Sequence, residues 1–206
     1  MRIVIPLFNG FTALDAVGPY EVLHMLPKAE VVFAAAVPGP LIDGAGLLTL
    51  TAGAAFDDVD SADLLLVPGG TGARRSVTDE NLLGWIRRIH ATTTWTTSVC
   101  TGALLLGAAG LLHGLRATTH WSAADQLRSY GAEYADERVV SQGKIVTAAG
   151  VSSGIDMALL LAGQIAGRTA AEAFQLAIEY DPQPPFDAGS YAKAPQSAKD
   201  YLLDRR

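Results

Sequence analysis

Thr93-Thr94-Trp95-Thr96-Thr97-Ser98-Val99-Cys100-Thr101-Gly102-Ala103-Leu104-Leu105-Leu106 is the stretch whose reading decides the fold. From Thr92 to Leu115 the chain has no Asp, Glu, Lys or Arg, which raises the question of a membrane span. The stretch falls into two unlike halves. Thr93 to Val99 is rich in threonine and valine, residues that favour strands. Thr101 to Leu112 is rich in alanine and leucine, which favour helices. Six threonines, four glycines, Cys100 and His113 break the unbroken apolar run that a membrane span needs. A buried strand running into a buried helix explains the segment, and the membrane reading is set aside.

The same pattern recurs outward from this point. Asp63 to Val67 is a short apolar run without alternation, as expected of a strand covered on both faces. It ends in Pro68-Gly69-Gly70-Thr71-Gly72. Asp79 to His90 predicts a helix, with Leu82, Leu83, Ile86 and Ile89 on one face. Ile3 to Phe8 predicts the first strand, closed by Asn9-Gly10. A helix is expected over Pro19 to Leu26, with Pro19 in the first turn. Val31 to Val37 reads as a strand, and Leu47 to Thr51 as a local antiparallel one. Downstream, Trp121 to Tyr130 reads as helical, and Arg138–Gln142 with Lys144–Ala148 as a hairpin about Gly143. Ile155–Ile165 and Ala170–Ile178 read as helices, and the tail from Asp181 as irregular until Tyr201.

Strands alternate with helices without a linker or a repeat. This predicts one doubly wound α/β domain with a small antiparallel addition. A chain of 206 residues buries about 70% of its unfolded surface, so it needs no disulfide or metal to hold a core. Hydrophobic residues make up 50% and charged residues 17%, with mean hydropathy +0.25, which excludes disorder. Net charge −6 and pI ≈ 5.1 make a poor footprint for nucleic acid or an anionic membrane. One cysteine excludes an internal disulfide and fits a reducing, cytoplasmic compartment. The N-terminal apolar run is too short for a signal peptide.

In doubly wound sheets, ligands bind where strands end and helices begin. Two loops have that position, Pro68 to Gly72 and Ser98 to Gly102. The second resembles a nucleophile elbow, with small neighbours around Cys100 and a helix N-terminus to lower its pKa. A lone cysteine can equally be an inert core residue. In the first loop, Gly69 and Gly70 offer backbone amides to a ligand, or form only a tight turn. Neither a dinucleotide fingerprint nor a P-loop is present. A third element is Asp15, set among apolar residues between the first strand and a helix, where a carboxyl group can serve as acid or base or merely cap the helix. Glu21 is the competing carboxylate. The four histidines show no metal spacing, so no metal is expected. His120 is either a neighbour of the cysteine or a structural residue at a helix start. Gly150-Val151-Ser152-Ser153 precedes an apolar helix and is expected to border the pocket.

Asp15 to Glu21, Pro68-Gly69-Gly70 and Ser98 to Gly102 occur together in this order, and together they resemble the DJ-1/PfpI superfamily over Ile3 to about Ile178. The resemblance implies a flavodoxin-like three-layer sandwich with a mostly parallel sheet, and a homodimer. Peptidase-like and glyoxalase-like members carry His after the cysteine, where this chain has Thr101. The combination of Asp15 with Cys100-Thr101-Gly102-Ala103 is similar to the isocyanide hydratases. A similar pattern occurs in the sensing domains of AraC-type regulators, whose C-terminal DNA-binding region would find no room after Arg206.

The hydratase resemblance implies hydration of an isocyanide to an N-substituted formamide, without cofactor or metal. Cys100 would act as nucleophile, Asp15 as proton donor and acceptor, and Thr101 through its amide and hydroxyl. Gly69, Gly70, Thr71, His120, Gly150 and Val151 would border the small-molecule substrate. Two other readings remain open at this point: a redox or stress-response protein acting through Cys100 oxidation, and a sensor without catalysis.

Overall fold

The protein is described by a computed structural model over residues 1–204. In chain order the elements are β1 (Arg2–Pro6), α1 (Ala13–Leu23), β2 (Glu30–Ala35), β3 (Gly39–Ile42), β4 (Thr49–Ala52), β5 (Ala54–Ala55), β6 (Leu64–Val67), α2 (Thr71–Arg75) and α3 (Glu80–Thr92). They continue with β7 (Trp95–Val99), α4 (Gly102–Ala108), β8 (Arg116–Ala117), α5 (Ala124–Ser129), β9 (Glu133–Tyr134), β10 (Val139–Gln142), β11 (Ile145–Ala148), α6 (Ser153–Ala166), α7 (Arg168–Ala177) and α8 (Gln196–Leu203). The main sheet runs β10-β11-β7-β6-β1-β2-β5. Every pairing in it is parallel except that of β10 with β11.

The sheet divides the core into two layers because side chains alternate across it. Ile3, Ile5, Leu64, Leu66 and Val146 pack on one side with Ala16, Val22 and Leu23 of α1 and Met157 and Leu161 of α6. Val4, Leu65 and Val67 pack on the other side with Leu82, Ile86 and Ile89 of α3, Leu104 to Leu106 of α4, and Leu127 of α5. The result is a three-layer doubly wound sandwich. Its order reverses between β1 and β6, the switch point at which such sheets bind ligands. The antiparallel additions are β10 on the sheet edge and the separate β3–β4 pair.

Four expectations are corrected. The first helix begins at Ala13, not Pro19, so Asp15 lies within it and Pro19 is interior. The α1–α6 contact accounts for this: Gly18 and Pro19 pack closely against Ile155 and Gly154 of α6, and that packing outweighs the cost of an interior proline. The helix expected to reach Leu112 stops at Ala108, ahead of Gly110 at φ +80°. The helix expected from Trp121 begins as a single 3₁₀ turn at Trp121–Ala123 before α5. The tail becomes helical at Gln196, where Pro195 ends the extended segment, rather than at Tyr201. A second small pair, β8 with β9, is parallel. Among the described residues no helix is long and apolar enough to cross a membrane.

Candidate active site

β7 ends at Val99 with Cys100 directly after it, one strand beyond the reversal between β1 and β6. The chain passes from strand to helix in one residue, and Cys100 takes φ +56°, a region non-glycine residues rarely adopt. Neighbouring segments hold it there. The Cys100 amide donates to Ala149 O at 2.8 Å and to Ala148 O at 3.1 Å. The Thr119 hydroxyl donates to Cys100 O at 2.8 Å. These bonds offset a backbone strain of about 1–3 kcal/mol. α4 can start directly behind the cysteine because Gly102 has no Cβ; one placed there would overlap Val67 O.

Asp15 arrives from α1 and is fully buried. The Gly69 amide donates to its Oδ2 at 2.8 Å. Oδ1 makes no hydrogen bond, and the Cys100 thiol stands close enough to the carboxyl group to perturb its titration. Burial pushes the Asp15 carboxyl up to about 7, although the Gly69 amide and the Cys100 thiol both pull it down. Glu21, the competing carboxylate, is exposed and lies 3.9 Å from His24.

The thiol departs from the expectation set by the helix terminus. Cys100 is only 5% exposed. Burial first, and the Asp15 charge second, push it up to about 12. The Val151 and Thr101 amides and the Thr101 hydroxyl act in the opposite direction without overcoming them. A fixed dipole at a short helix cannot outweigh removal of the sulfur from water. The resting pair is therefore a protonated thiol beside a carboxyl group that titrates near neutrality.

Gly69, Gly70 and Thr101 form the support under this pair. The Gly70 amide donates to the Thr101 hydroxyl at 2.8 Å, and that hydroxyl lies 3.2 Å from Gly70 O. Both glycine amides are thus engaged by the side chains of Asp15 and Thr101. A Cβ on Gly69 would stand 2.5 Å from the Thr101 amide nitrogen and 2.9 Å from Asp15 Oδ2. Thr71 opens α2 but is exposed, with its hydroxyl 3.5 Å from Gly10 O on the neighbouring loop.

His120, Gly150 and Val151 come together in a cleft of about 550 Å³ beside the cysteine. Ala149 and Val151 form the part of its wall that touches Cys100. The Ser122 amide donates to His120 Nδ1 at 3.2 Å, and the Ser122 hydroxyl lies 2.8 Å from the same nitrogen. Nδ1 thus accepts from the Ser122 amide, which fixes the ring at the start of the 3₁₀ turn. Sequence reasoning missed several cleft residues. Thr119, which bonds Cys100 O, adjoins His120 and could have been found by that adjacency. Trp121 opens the 3₁₀ turn and Arg138 lies on the loop before β10, and the segment 189–193 belongs to a tail that gave no signal. Among the described residues, no three or more His, Cys, Asp and Glu side chains cluster as a metal site.

Comparison with known proteins adds to this geometry. The family model "DJ-1/PfpI family" matches residues 1–164. An isonitrile hydratase of Pseudomonas putida is 43% identical over 199 residues, covering 97% of this chain and 87% of its own. An HTH-type transcriptional regulator, CdhR of Pseudomonas aeruginosa, is 29% identical, and this chain spans 49% of its length. The crystal structure of a ThiJ/PfpI family protein from Pseudomonas syringae superposes with TM-score 0.95 at 36% identity, covering 99% of this chain and 85% of that one.

Proposed function

The chain belongs to the DJ-1/PfpI family, and from that premise we propose that it hydrates isocyanides to N-substituted formamides through a covalent intermediate on Cys100. The observation that carries the reading is the fully buried Asp15 carboxyl, raised to about 7 beside the thiol of Cys100, whose own pKa its charge helps to raise. The 43% identity to an isonitrile hydratase supports the reaction class.

An isocyanide has one carbon that must receive both a nucleophile and a proton. Asp15 takes the thiol proton as Sγ attacks the terminal carbon, then returns that proton to the same carbon. The product is a thioimidate, Cys–S–CH=N–R. Water adds to this carbon, Asp15 accepts its proton and passes it to nitrogen, and the C–S bond breaks. The sulfur regains a proton and the formamide HC(O)NHR leaves. Net, one water is consumed, with no redox change. Cys100 and Asp15 are the catalytic residues. The Val151 and Thr101 amides stabilise charge on sulfur as it is expelled. Thr101, through Gly70, positions the loop that holds Asp15. His120, Gly150 and Val151 border the substrate.

A slender linear head group suits a thiol that is 5% exposed. The redox reading is less favoured, because oxidation follows thiolate character and exposure, and this thiol has little of either. The reading includes a cytoplasmic homodimer. Leu47, Leu48, Leu160 and Leu176 are exposed apolar side chains of the kind a second subunit would cover, and light scattering at micromolar protein tests it. The reaction is tested by incubating protein with cyclohexyl isocyanide and measuring N-cyclohexylformamide. Acid quench during turnover should trap protein plus one isocyanide on Cys100. Formamide production with no dependence on Cys100 would refute the mechanism.

A further inference from the structure

The cleft beside Cys100 is larger than its chemistry requires. At about 550 Å³ it falls in the range of about 300–1,000 Å³ that holds drug-sized ligands, far beyond an isocyano group with a methyl substituent. Its lining is partly built by a segment remote from the catalytic pair. Residues 189–193 line the same cleft as Val151 and His120. Tyr191 stacks on Trp121, with ring centroids 4.8 Å apart and planes inclined by 27°. Lys199 Nζ lies 4.4 Å from the Tyr191 centroid. The Lys193 amide donates to the Ser190 hydroxyl at 3.3 Å, the Ala194 amide to Ser190 O at 2.9 Å, and Lys193 Nζ pairs with Asp187 at 2.8 Å. The tail is thus bound to the cleft by an aromatic stack and shaped by its own turn.

Resting on the hydratase reading, we propose that Tyr191 and Trp121 form the specificity wall of the site, and that its substrates are isocyanides with large aromatic or extended apolar N-substituents. Three features support this. The isocyano group is short and linear, and Cys100 adjoins the cleft through Ala149 and Val151 of its wall, so a substituent on a carbon bound to Cys100 extends toward the cleft. Flat aromatic side chains bind flat apolar groups by offset stacking and by area removed from water. Of the charged side chains that line the cleft, Glu137 pairs with Arg116, Arg138 with Asp156 and Lys193 with Asp187, while Asp136 accepts from the Tyr134 hydroxyl at 3.4 Å, so the lining offers an anionic substituent no unpaired Lys or Arg.

The test compares methyl isocyanide with 2-naphthyl isocyanide on the full chain, as wild type, Tyr191→Ala and Tyr191→Phe. The wild type should show a higher kcat/KM for the naphthyl substrate. Tyr191→Ala should lower the naphthyl-to-methyl ratio of kcat/KM about tenfold, mainly through KM, as expected for lost apolar contact. Tyr191→Phe should keep the ratio. Equal loss on both substrates would mean that Tyr191 only holds the fold, and would overturn the proposal while leaving the hydratase reading intact. If neither isocyanide is hydrated, the hydratase reading fails by itself. The wall is then judged by equilibrium binding of N-(2-naphthyl)formamide: about tenfold weaker binding in Tyr191→Ala supports it, and unchanged binding overturns it.

Discussion

Replacing Asp15 by asparagine should stabilise the protein while disabling it, and the gain should depend on pH. The Asp15 carboxyl has pKa 3.8 when exposed and about 7 in the folded chain. Because the folded value is raised, the native state holds a proton that the unfolded chain has already released. The associated stability is fully present below about pH 3.8 and is lost as pH rises through about 7. At about 1.4 kcal/mol per pH unit, the loss across that window is about 4 kcal/mol. An asparagine side chain has no charge to bury, its carbonyl oxygen can still accept from the Gly69 amide, and its amide group can face the thiol. Asp15→Asn should therefore exceed the wild type by up to about 4 kcal/mol at pH 8, with the excess vanishing near pH 4.

For a chain of this size each kcal/mol is worth about 2–4 °C in Tm, which predicts a difference of about 8–16 °C at pH 8. The assay is urea or thermal unfolding of both proteins across pH 4 to 8, read as the difference between them so that other titrating groups cancel. Parallel stability–pH curves would refute the argument, because they would mean that Asp15 is ionised and satisfied in the fold. The same substitution removes proton transfer and should lower kcat by about 10²–10⁴-fold. Stability and turnover would then be in direct conflict at one residue.

Two further outcomes follow from the same geometry. Cys100→Ser should lose turnover almost as completely as Cys100→Ala, since a serine hydroxyl is far harder to ionise than a thiol already pushed up to about 12; formamide produced by either variant at the wild-type rate would exclude nucleophilic attack by residue 100. Gly69→Ala forces a methyl group to 2.5 Å from the Thr101 amide, so it should cost about 1–3 kcal/mol and reduce turnover by displacing Asp15; an unchanged unfolding midpoint and rate would show that the loop yields freely.

The sheet was legible in the sequence because its strands are buried on both faces. Leu64-Leu65-Leu66-Val67 and Thr96 to Val99 are buried throughout, and α3 between them carries one apolar stripe. The misread elements are those decided by contact rather than local pattern. Pro19 looks like a first-turn residue, but close packing of Gly18 and Pro19 on α6 extends the helix upstream to Ala13. That extension matters, since it makes Asp15 a fully buried helical side chain instead of a loop residue. The Cys100 elbow and the Gly69-Gly70 loop were visible as small-residue breaks between apolar runs. Their destination was not, because the glycine amides serve Asp15 and Thr101 across more than thirty residues of chain. Tyr191 lies in a proline-rich tail with no periodicity, so nothing local ties it to Trp121.

The reversal of the thiol expectation bears on the chemistry. A cysteine lowered by a helix terminus would carry a free thiolate, able to attack but holding no proton. The terminal carbon of an isocyanide ends the first proposed step bonded to both sulfur and hydrogen. A thiol at about 12 beside a carboxyl group at about 7 keeps the proton within the pair. Attack and protonation can then draw on the same two groups, with no proton taken from bulk water. The carboxyl must be ionised to receive the thiol proton, so kcat/KM should rise as pH increases through about 7 and stay high until the thiol itself ionises. A kcat/KM that is flat from pH 5 to 9 would refute this role for Asp15. The low exposure of Cys100 serves the same end, because water reaching the sulfur would lower its pKa and separate the proton from the pair. Burial, which alone would make a cysteine inert, makes this one a combined nucleophile and proton source once Asp15 is buried with it.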